Sequence, residues 1–460
     1  PNVVLILADD LGWADVGYHG GYIKTPHIDR LAREGVELDR FYVCPMCSPT
    51  RASLLTGRYA IRFGLSRAVI PPWRRFGLDT AETTLPQVLA KAGYRHRGIF
   101  GKWHLGHHEP KWHPIARGFT HFRGHYNGAI DYFTHEREGQ RDWHVDFEPT
   151  REDGYTTDLI ADAAARFIEQ HADEGPFLCY VPFNAPHSPF QALQKYLDRY
   201  AHLDAAARGK AGGGKRKTKG PSRERILAAM ISSMDDGIGH ILAAIDRAGV
   251  RENTLIWFMS DNGGIKGVAK NNLPLRGDKL QVFEGGIRVP ACVRWPAGFP
   301  GGRKLTAPMG CIDVLPTLMA AAGLREHGGK PLDGIDMLGV LRGQTPRVKR
   351  DLYFYHGQNG PEKEHLALIT PKWKLVILGP DVSRNPAGSP GHQRLLFDII
   401  GDPYEETDLS AKEPETVAAM THRLVEFRKL QPKDSAPPYG QGRAGFKAPK
   451  DWRIPLPPAR

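Results

Sequence analysis

Four apolar runs punctuate the chain, none alternates with polar residues, and each stops at a polar cluster. Val3–Ala8 leads into Asp9 and Asp10, Arg97–Phe100 into Lys102 and His104, Phe177–Val181 into His187, and Thr254–Met259 into Asp261 and Asn262. A strand with one solvated face alternates, so continuous β-rich runs predict strands buried on both faces of a largely parallel sheet. Between these runs the apolar spacing shifts to three and four residues. Helices are predicted over 25–33 (closing at Gly35), over 85–91 (closing at Gly93) and over 223–248, the last after Ser222 as N-cap and before Gly249. In that long helix Ile226, Met230, Met234, Ile238, Leu242 and Ile245 make one buried stripe. Alternating strands and helices predict an open α/β sheet with helices on both sides, whose ligands bind beyond the carboxyl ends of the strands. All four polar clusters lie at those ends, so residues remote in sequence are expected to converge.

After about residue 350 the texture changes. Short strands at 352–355, 366–369, 373–377 and 393–397, followed by a helix over 414–430, predict a small antiparallel sheet with one packed helix. The expected organisation is a large domain over 1–350, a small C-terminal domain over 351–431 and a Pro/Gly-rich tail over 432–460. The tail, and a basic glycine-rich insertion at about 205–220, are read as mobile. For the insertion a solvated loop is favoured over a polyanion-binding flap.

Composition narrows the class. Contents of 41% hydrophobic and 25% charged residues are those of a globular protein. No apolar run approaches the roughly 20 residues that cross a bilayer, so no membrane span is expected. The start at Pro1, with a strand beginning at Val3, is read as a removed leader or a trimmed start. A net charge of +11 fits equally an anionic partner, such as a sulfated polysaccharide or nucleic acid, and a basic but inert surface. Five cysteines are too few for a disulfide scaffold, and Cys179 and Cys292 lie in apolar runs as buried thiols. The chain has no N-x-Ser/Thr acceptor, which argues against a glycosylated animal secretory protein. A bacterial periplasmic or secreted enzyme fits better.

The chemistry is carried by Cys47-Ser48-Pro49-Thr50-Arg51, followed by Leu54-Leu55-Thr56-Gly57-Arg58. It is joined in order by Ala8-Asp9-Asp10, Gly101-Lys102-Trp103-His104-Leu105-Gly106, Ala185-Pro186-His187, Ser260-Asp261-Asn262-Gly263-Gly264 and the stretch Glu284–Pro290. Read from the residues, Asp9, Asp10, Asp261 and Asn262 offer only oxygen donors, three of them anionic, which suits a hard divalent cation. Pro49 fits the first turn of a helix, placing Cys47 beside a helix N-terminus. Together these motifs resemble the formylglycine-dependent (type I) sulfatases of the alkaline phosphatase superfamily, from Val3 to about Leu409.

The resemblance implies a large mixed, mostly parallel sheet flanked by helices and a small C-terminal α+β domain. It implies that Cys47 is oxidised to formylglycine by a maturation enzyme, and that the aldehyde hydrate attacks sulfur. It assigns Asp9, Asp10, Asp261, Asn262 and the modified Cys47 to a metal, usually Ca²⁺, with Mg²⁺ an alternative. Arg51 and Lys102 would hold the modified side chain, His104 would act as base, and His187 and Lys279 would contact the sulfate and the leaving oxygen. Two departures stand out: Asp278 beside Lys279, and Asp408 where the family usually has Asn, the latter expected to affect only a turn.

The segment Gly124–His135 and Asn272–Arg276 resemble the N-acetylgalactosamine-4-sulfatase (arylsulfatase B) group. This implies a sulfated carbohydrate substrate, with 4-sulfated galactose or N-acetylgalactosamine units of carrageenan or chondroitin/dermatan sulfate as the finer expectation. Candidate sugar contacts are His125, Tyr126, Tyr132, Trp143, His144 and Arg276. No nucleic-acid partner is expected, and the oligomeric state is left open. Two other readings stand beside this one: a phosphonate monoester or phosphodiester hydrolase of the same superfamily, and a non-catalytic polyanion-binding protein.

Overall fold

The computed structural model describes residues 1–204, 220–268, 271–345, 348–380 and 392–455. A ten-stranded sheet runs through it. From edge to edge the order is Arg303–Leu305, Val36–Leu38, Ala291–Arg294, Thr254–Ser260, Asn2–Ala8, Phe177–Pro182, His96–Lys102, His121–His125, His144–Val145 and Glu148–Pro149. The five strands from Thr254–Ser260 to His121–His125 are mutually parallel, with Val3 paired to Leu178 on one side and Leu255 on the other. Antiparallel neighbours flank them on both sides.

The absence of alternation in the apolar runs has a direct cause. Val3, Leu5 and Leu7 enter the hydrophobic cluster on one face, with Leu54, Leu85 and Leu315 of the helices Cys47–Thr56, Leu85–Lys91 and Val314–Ala321. Val4, Ile6 and Ala8 enter the cluster on the other face, with Ile28, Ile160 and Ile238 of the helices Pro26–Glu34, Thr156–His171 and Arg223–Arg247. Both faces are covered, so both sets of side chains must be apolar. The Arg223–Arg247 helix is capped as expected, Ser222 Oγ accepting from the Arg225 amide. Among the described residues it is the one helix long and apolar enough to cross a bilayer, and it is packed in this core.

The second sheet is antiparallel, with strands Leu352–His356, Glu364–Ile369, Trp373–Gly379 and Gln393–Asp398. One face packs on the helix Pro414–Lys429 through Leu366, Leu375, Met420 and Leu424. The other packs on the large body through Ala367, Val376, Phe397, Tyr42 and Ile312. Asp408 does serve a turn: its Oδ1 accepts from the amides of Leu396 and Ser410.

The basic insertion falls outside the described residues except for Gly220. The tail differs from expectation. Instead of hanging free, it crosses back over the large body, and Trp452 and Ile454 are buried in the same cluster as Val3 and Leu54. Phe446 and Ala448 pack against the same cluster and Tyr439 meets Trp73 edge to face, so scattered apolar residues dock a segment otherwise rich in Pro, Gly and Arg. Along its path the Ala436 amide bonds the Gly64 carbonyl, and Arg74 Nη2 bonds the Pro438 carbonyl at 2.9 Å.

Candidate active site

The carboxyl ends of the central strands bring the four polar clusters together. Asp9 and Asp10 follow the first strand, Lys102 ends the strand His96–Lys102, and Asp261 and Asn262 follow Thr254–Ser260. Register explains the convergence: Ala8 pairs with Ser260, so the next residues on both strands emerge side by side, and the Asp261 amide bonds the Ala8 carbonyl at 3.0 Å. Cys47 is the first residue of the helix Cys47–Thr56, every residue of which is buried.

Arg51, one turn into that helix, ties the site together. Its Nε and Nη2 both donate to Asp261 Oδ2, at 3.0 and 2.8 Å, and its Nη1 donates to the Lys102 carbonyl at 2.9 Å. Nη2 also lies 3.6 Å from Asp9. Lys102 Nζ bonds Asp9 Oδ2, and Lys279 Nζ bonds Asp10 Oδ1. Asn262 Nδ2 donates to Asp10 Oδ1 at 2.8 Å. His187 Nε2 stands 3.8 Å from Asp10 Oδ2. The ligand atoms of Asp9, Cys47 and Asp261 lie within 4.8 Å of one another, as do those of Asp9, Asp10 and His187.

Three carboxylates this close and this buried raise an electrostatic difficulty. Burial pushes Asp9 up, and burial followed by the neighbouring Asp9 charge pushes Asp261 up to about 6. Burial also acts upward on Asp10, but Lys279 and His187 outweigh it and hold Asp10 well below the usual carboxylate range. A divalent cation would relieve the remaining repulsion. Two buried oxygens, Asp9 Oδ1 and Asn262 Oδ1, have no hydrogen-bond partner, which is costly unless something else occupies their lone pairs. Both belong to the acidic cluster and both are hard donors, so the residues present fit a divalent metal ion.

His104 lies 3.3 Å through Nδ1 from Cys47 Sγ and 3.0 Å through Nε2 from the Ile70 carbonyl. A carbonyl only accepts, so Nε2 carries the hydrogen and Nδ1 turns its lone pair to Cys47. Burial, then Lys102 and Arg51, hold His104 well below its ordinary value, so the ring is neutral. Burial also raises the Cys47 thiol, opposed by Lys102 and Lys279. Asp10 and His104 both take left-handed backbone, with φ of 71° and 57°, a conformation that non-glycine residues hold at a cost. Gly128 makes room for the His104 ring, since a Cβ there would come within 2.5 Å of its Cε1.

The site opens into a cleft of about 580 Å³ whose floor includes Cys47, His104, His187 and Lys279. Its rim comes from elsewhere. The hairpin of Glu136–Arg137 and Gln140–Arg141 supplies Arg137 and Glu138, the small sheet's neighbourhood supplies Gln358, and the tail supplies Tyr439. Trp452 Nε1 donates to the Arg137 carbonyl at 2.9 Å and the Asp451 amide to Gln140 Oε1, so the tail holds the hairpin in place.

The six candidate sugar contacts are placed differently. None lines this cleft. Tyr126 is buried against His113 and the Asp146 carbonyl, and Tyr132 bonds the carbonyls of Asn184 and His187, beneath the site rather than in it. Trp143 donates to Glu152, and His144 pairs with Asp142. His125 is buried and bonds the Asn127 carbonyl. Arg276 stacks on Phe283, bonds the Glu405 carbonyl and lines a separate groove with Asp278. The rim residues Arg137, Glu138, Gln358 and Tyr439 were not anticipated. Charged residues flanking a glycine in a short hairpin were the available signal for the first two.

Residues 1–324 match the sulfatase family model, and residues 277–430 match the model of the N-sulphoglucosamine sulphohydrolase C-terminal region. The chain belongs to the sulfatase family. Mouse arylsulfatase J is 32% identical over 95% of this chain and 77% of its own length. Mouse N-acetylgalactosamine-6-sulfatase is 32% identical over 99% of this chain and 90% of its own. The crystal structure of Ps i-CgsB superimposes on this sulfatase with a TM-score of 0.83 at 28% identity, covering 96% of both chains, and that protein has also been solved in complex with k-i-k-neocarrahexaose. Family, relatives and the buried Cys47–aspartate cluster together make this chain a formylglycine-dependent sulfuric ester hydrolase acting on a sulfated carbohydrate.

Proposed function

We propose that this sulfatase removes sulfate from galactose-configured units of a sulfated polysaccharide, with 4-O-sulfated galactose or N-acetylgalactosamine as the preferred unit. The observation that carries the reading is the build of the site: a charged floor around Cys47 in a cleft of about 580 Å³ whose rim carries Arg137, Glu138, Gln358 and Tyr439. Two comparisons support the sugar class. A relative is named N-acetylgalactosamine-6-sulfatase, and a similar structure holds a neocarrahexaose; both support a galactose-configured sugar, while the 4-position rests on the resemblance of Gly124–His135 and Asn272–Arg276 alone.

Asp9, Asp10, Asp261, Asn262 and the Cys47-derived side chain would hold the metal, which we take to be Ca²⁺, with Mg²⁺ the alternative. When bound, the ion would polarise an oxygen of the aldehyde hydrate at residue 47 as the nucleophile. The chain's own residues do the rest. Arg51 fixes Asp261 and, through the Lys102 carbonyl, the end of the neighbouring strand. His104 Nδ1, neutral and aimed at residue 47, accepts the proton that must leave for sulfate to be expelled. Lys279, on the floor of the cleft, places positive charge where the sulfuryl oxygens and leaving oxygen gain negative charge, while Lys102, buried against Asp9, holds the side chain of residue 47.

His187 keeps about 20% of its side-chain surface open to the cleft, and its Nδ1 faces the Ser188 carbonyl at 2.6 Å. The other nitrogen, Nε2, is therefore the one that can deliver a proton to the leaving oxygen. In the free site burial, reinforced by Lys279 and Lys102 against Asp10, holds His187 low. A bound sulfate anion acts in the opposite direction and favours the protonated ring.

Arg137 on the rim is suited to a second sulfate on a neighbouring sugar. Action on a polymer fits a periplasmic or secreted bacterial setting, with a maturation enzyme converting Cys47. The test is sulfate release from carrageenan and chondroitin oligosaccharides sulfated at defined positions, after mass spectrometry has confirmed the aldehyde at Cys47. Release from 4-sulfated galactose-type units supports the proposal. Release confined to 6-sulfated or glucosamine units, or cleavage of aryl phosphonates alone, overturns it.

A further inference from the structure

At the opposite end of the sheet from Cys47, three histidines meet that the hydrolytic chemistry does not use. His96 opens the strand whose last residue is Lys102, His121 opens the parallel strand beside it, and His171 ends the helix Thr156–His171 packed over both. The strand that carries Lys102 thus separates the two places by about 20 Å, at about 3.3 Å per residue.

One ring nitrogen from each histidine can be chosen so that all three lie within 4.8 Å of one another. Glu174, in the turn after the helix, reaches into the same space. Its carboxylate lies 2.8 Å from His96 Nε2 and 3.4 Å from His171 Nδ1. Thr120 Oγ1 stands 2.9 Å from His121 Nδ1, which leaves Nε2 of that ring as the nitrogen free to ligate. Phe167 packs against His121 and His171 at ring-centroid separations of 5.3 and 4.8 Å, giving the cluster an apolar wall.

We propose that His96, His121, His171 and Glu174 form a second metal site, which takes a borderline divalent cation of the Zn²⁺ type. The donor set decides the class. Three imidazoles and one carboxylate suit Zn²⁺, Co²⁺ or Ni²⁺, whereas the oxygen-only donors around Asp9 suit a hard cation. Four protein ligands fill a tetrahedral shell, so the site is structural, clamping the helix end to the two strand starts. It has a backing of the kind that orients ligating histidines, in the Thr120 hydroxyl behind His121.

Occupation requires one local change. The His96 and His171 rings are stacked at 3.8 Å with planes 10° apart, and a shared cation must lie in the plane of each ring. Binding therefore opens the stack. This inference does not depend on the identity of the sulfated substrate.

The experiment uses full-length, untagged protein with its active-site metal retained. Zn²⁺ is titrated at pH 7.5 with calorimetry, and Co²⁺ in parallel with visible absorption. The expected result is one Zn²⁺ bound per chain beyond the active-site ion, a rise in Tm on binding, and the intense absorption of tetrahedral Co²⁺. His121→Ala and His171→Asn each abolish this binding, and Glu174→Gln weakens it about tenfold. The rate of sulfate release is the same in all of these proteins. Stoichiometric binding that survives both histidine substitutions, octahedral Co²⁺ spectra, or no binding by the parent protein would overturn the proposal. His171→Asn, on a helix end, keeps the test decisive should His121→Ala fail to fold.

Discussion

Cys47 Sγ and His104 Nδ1 face each other at 3.3 Å although 57 positions separate them in sequence. The contact arises because a helix begins where a strand ends. It is held from behind by the Ile70 carbonyl, which takes the other ring nitrogen and leaves the histidine a single tautomer and orientation. His104 is thus a preset proton acceptor for whatever group residue 47 carries.

Replacing His104 by Ala should lower kcat about 10²–10⁴-fold with a smaller change in KM, the size of a lost general base. Cys47→Ala and Cys47→Ser should reduce sulfate release to background while circular dichroism and Tm stay close to the parent. Full activity in either Cys47 variant would remove the formylglycine mechanism.

Chelation should abolish activity and lower Tm, because Asp9, Asp10 and Asp261 are left facing one another with two oxygens unsatisfied. Added Ca²⁺ should restore both. Differential scanning fluorimetry with chelator, Ca²⁺ and Mg²⁺ measures the effect, and indifference to all three would count against the metal site.

Arg137→Ala should raise KM about tenfold for an oligosaccharide with a sulfate beside the scissile one, the loss of one charge-assisted contact. A monosaccharide sulfate should be hydrolysed as before. Equal effects on both substrates would place Arg137 outside sugar recognition.

Trp452→Ala removes the tail's main anchor and should cost up to about 3–5 kcal/mol of docking free energy. Limited proteolysis should then cut near residues 432–450, and KM for oligosaccharides should rise with kcat nearly unchanged. Resistance to protease equal to that of the parent would show that other contacts hold the tail.

Asp15 supplies a pH dependence of stability. It is buried, and burial raises it from an ordinary value of 3.8 to about 7, opposed by the Gly12 amide on its carboxylate. The folded state therefore keeps a proton that the unfolded chain releases between about pH 4 and 7, so stability attributable to this group falls as pH rises through that window. Asp15→Asn retains an acceptor for Gly12 and should flatten that slope, making the variant more stable than the parent at pH 8 and no different below pH 4. Urea denaturation at the two pH values measures it; identical slopes would refute the assignment.

The floor of the site was legible in the sequence because strand ends in a parallel sheet must converge. Asp9 and Asp261 each follow an uninterrupted apolar run, and nothing more than register is needed to set them side by side. The sugar contacts were not legible in the same way. Tyr126, Trp143 and His144 sit in turns and a two-residue strand too short for any period to tell inward from outward, and their polar atoms turn out to serve His113, Glu152 and Asp142. The tail misled through composition: Pro, Gly and Arg outnumber its anchors, yet Trp452 and Ile454 decide where it goes. Their isolation in a polar segment was the signal to weigh.

Because the rim is built from a hairpin, a tail and Gln358 beside the small sheet, none of which contributes to the charged floor, rim and floor can change independently. Exchanging residues 136–141 together with the stretch that ends at Trp452 would present a different sugar to an unaltered Cys47–His104 pair. The architecture therefore behaves as a fixed hydrolytic base with a replaceable collar, and new polymer preferences in such an enzyme should be sought by grafting the collar as a unit.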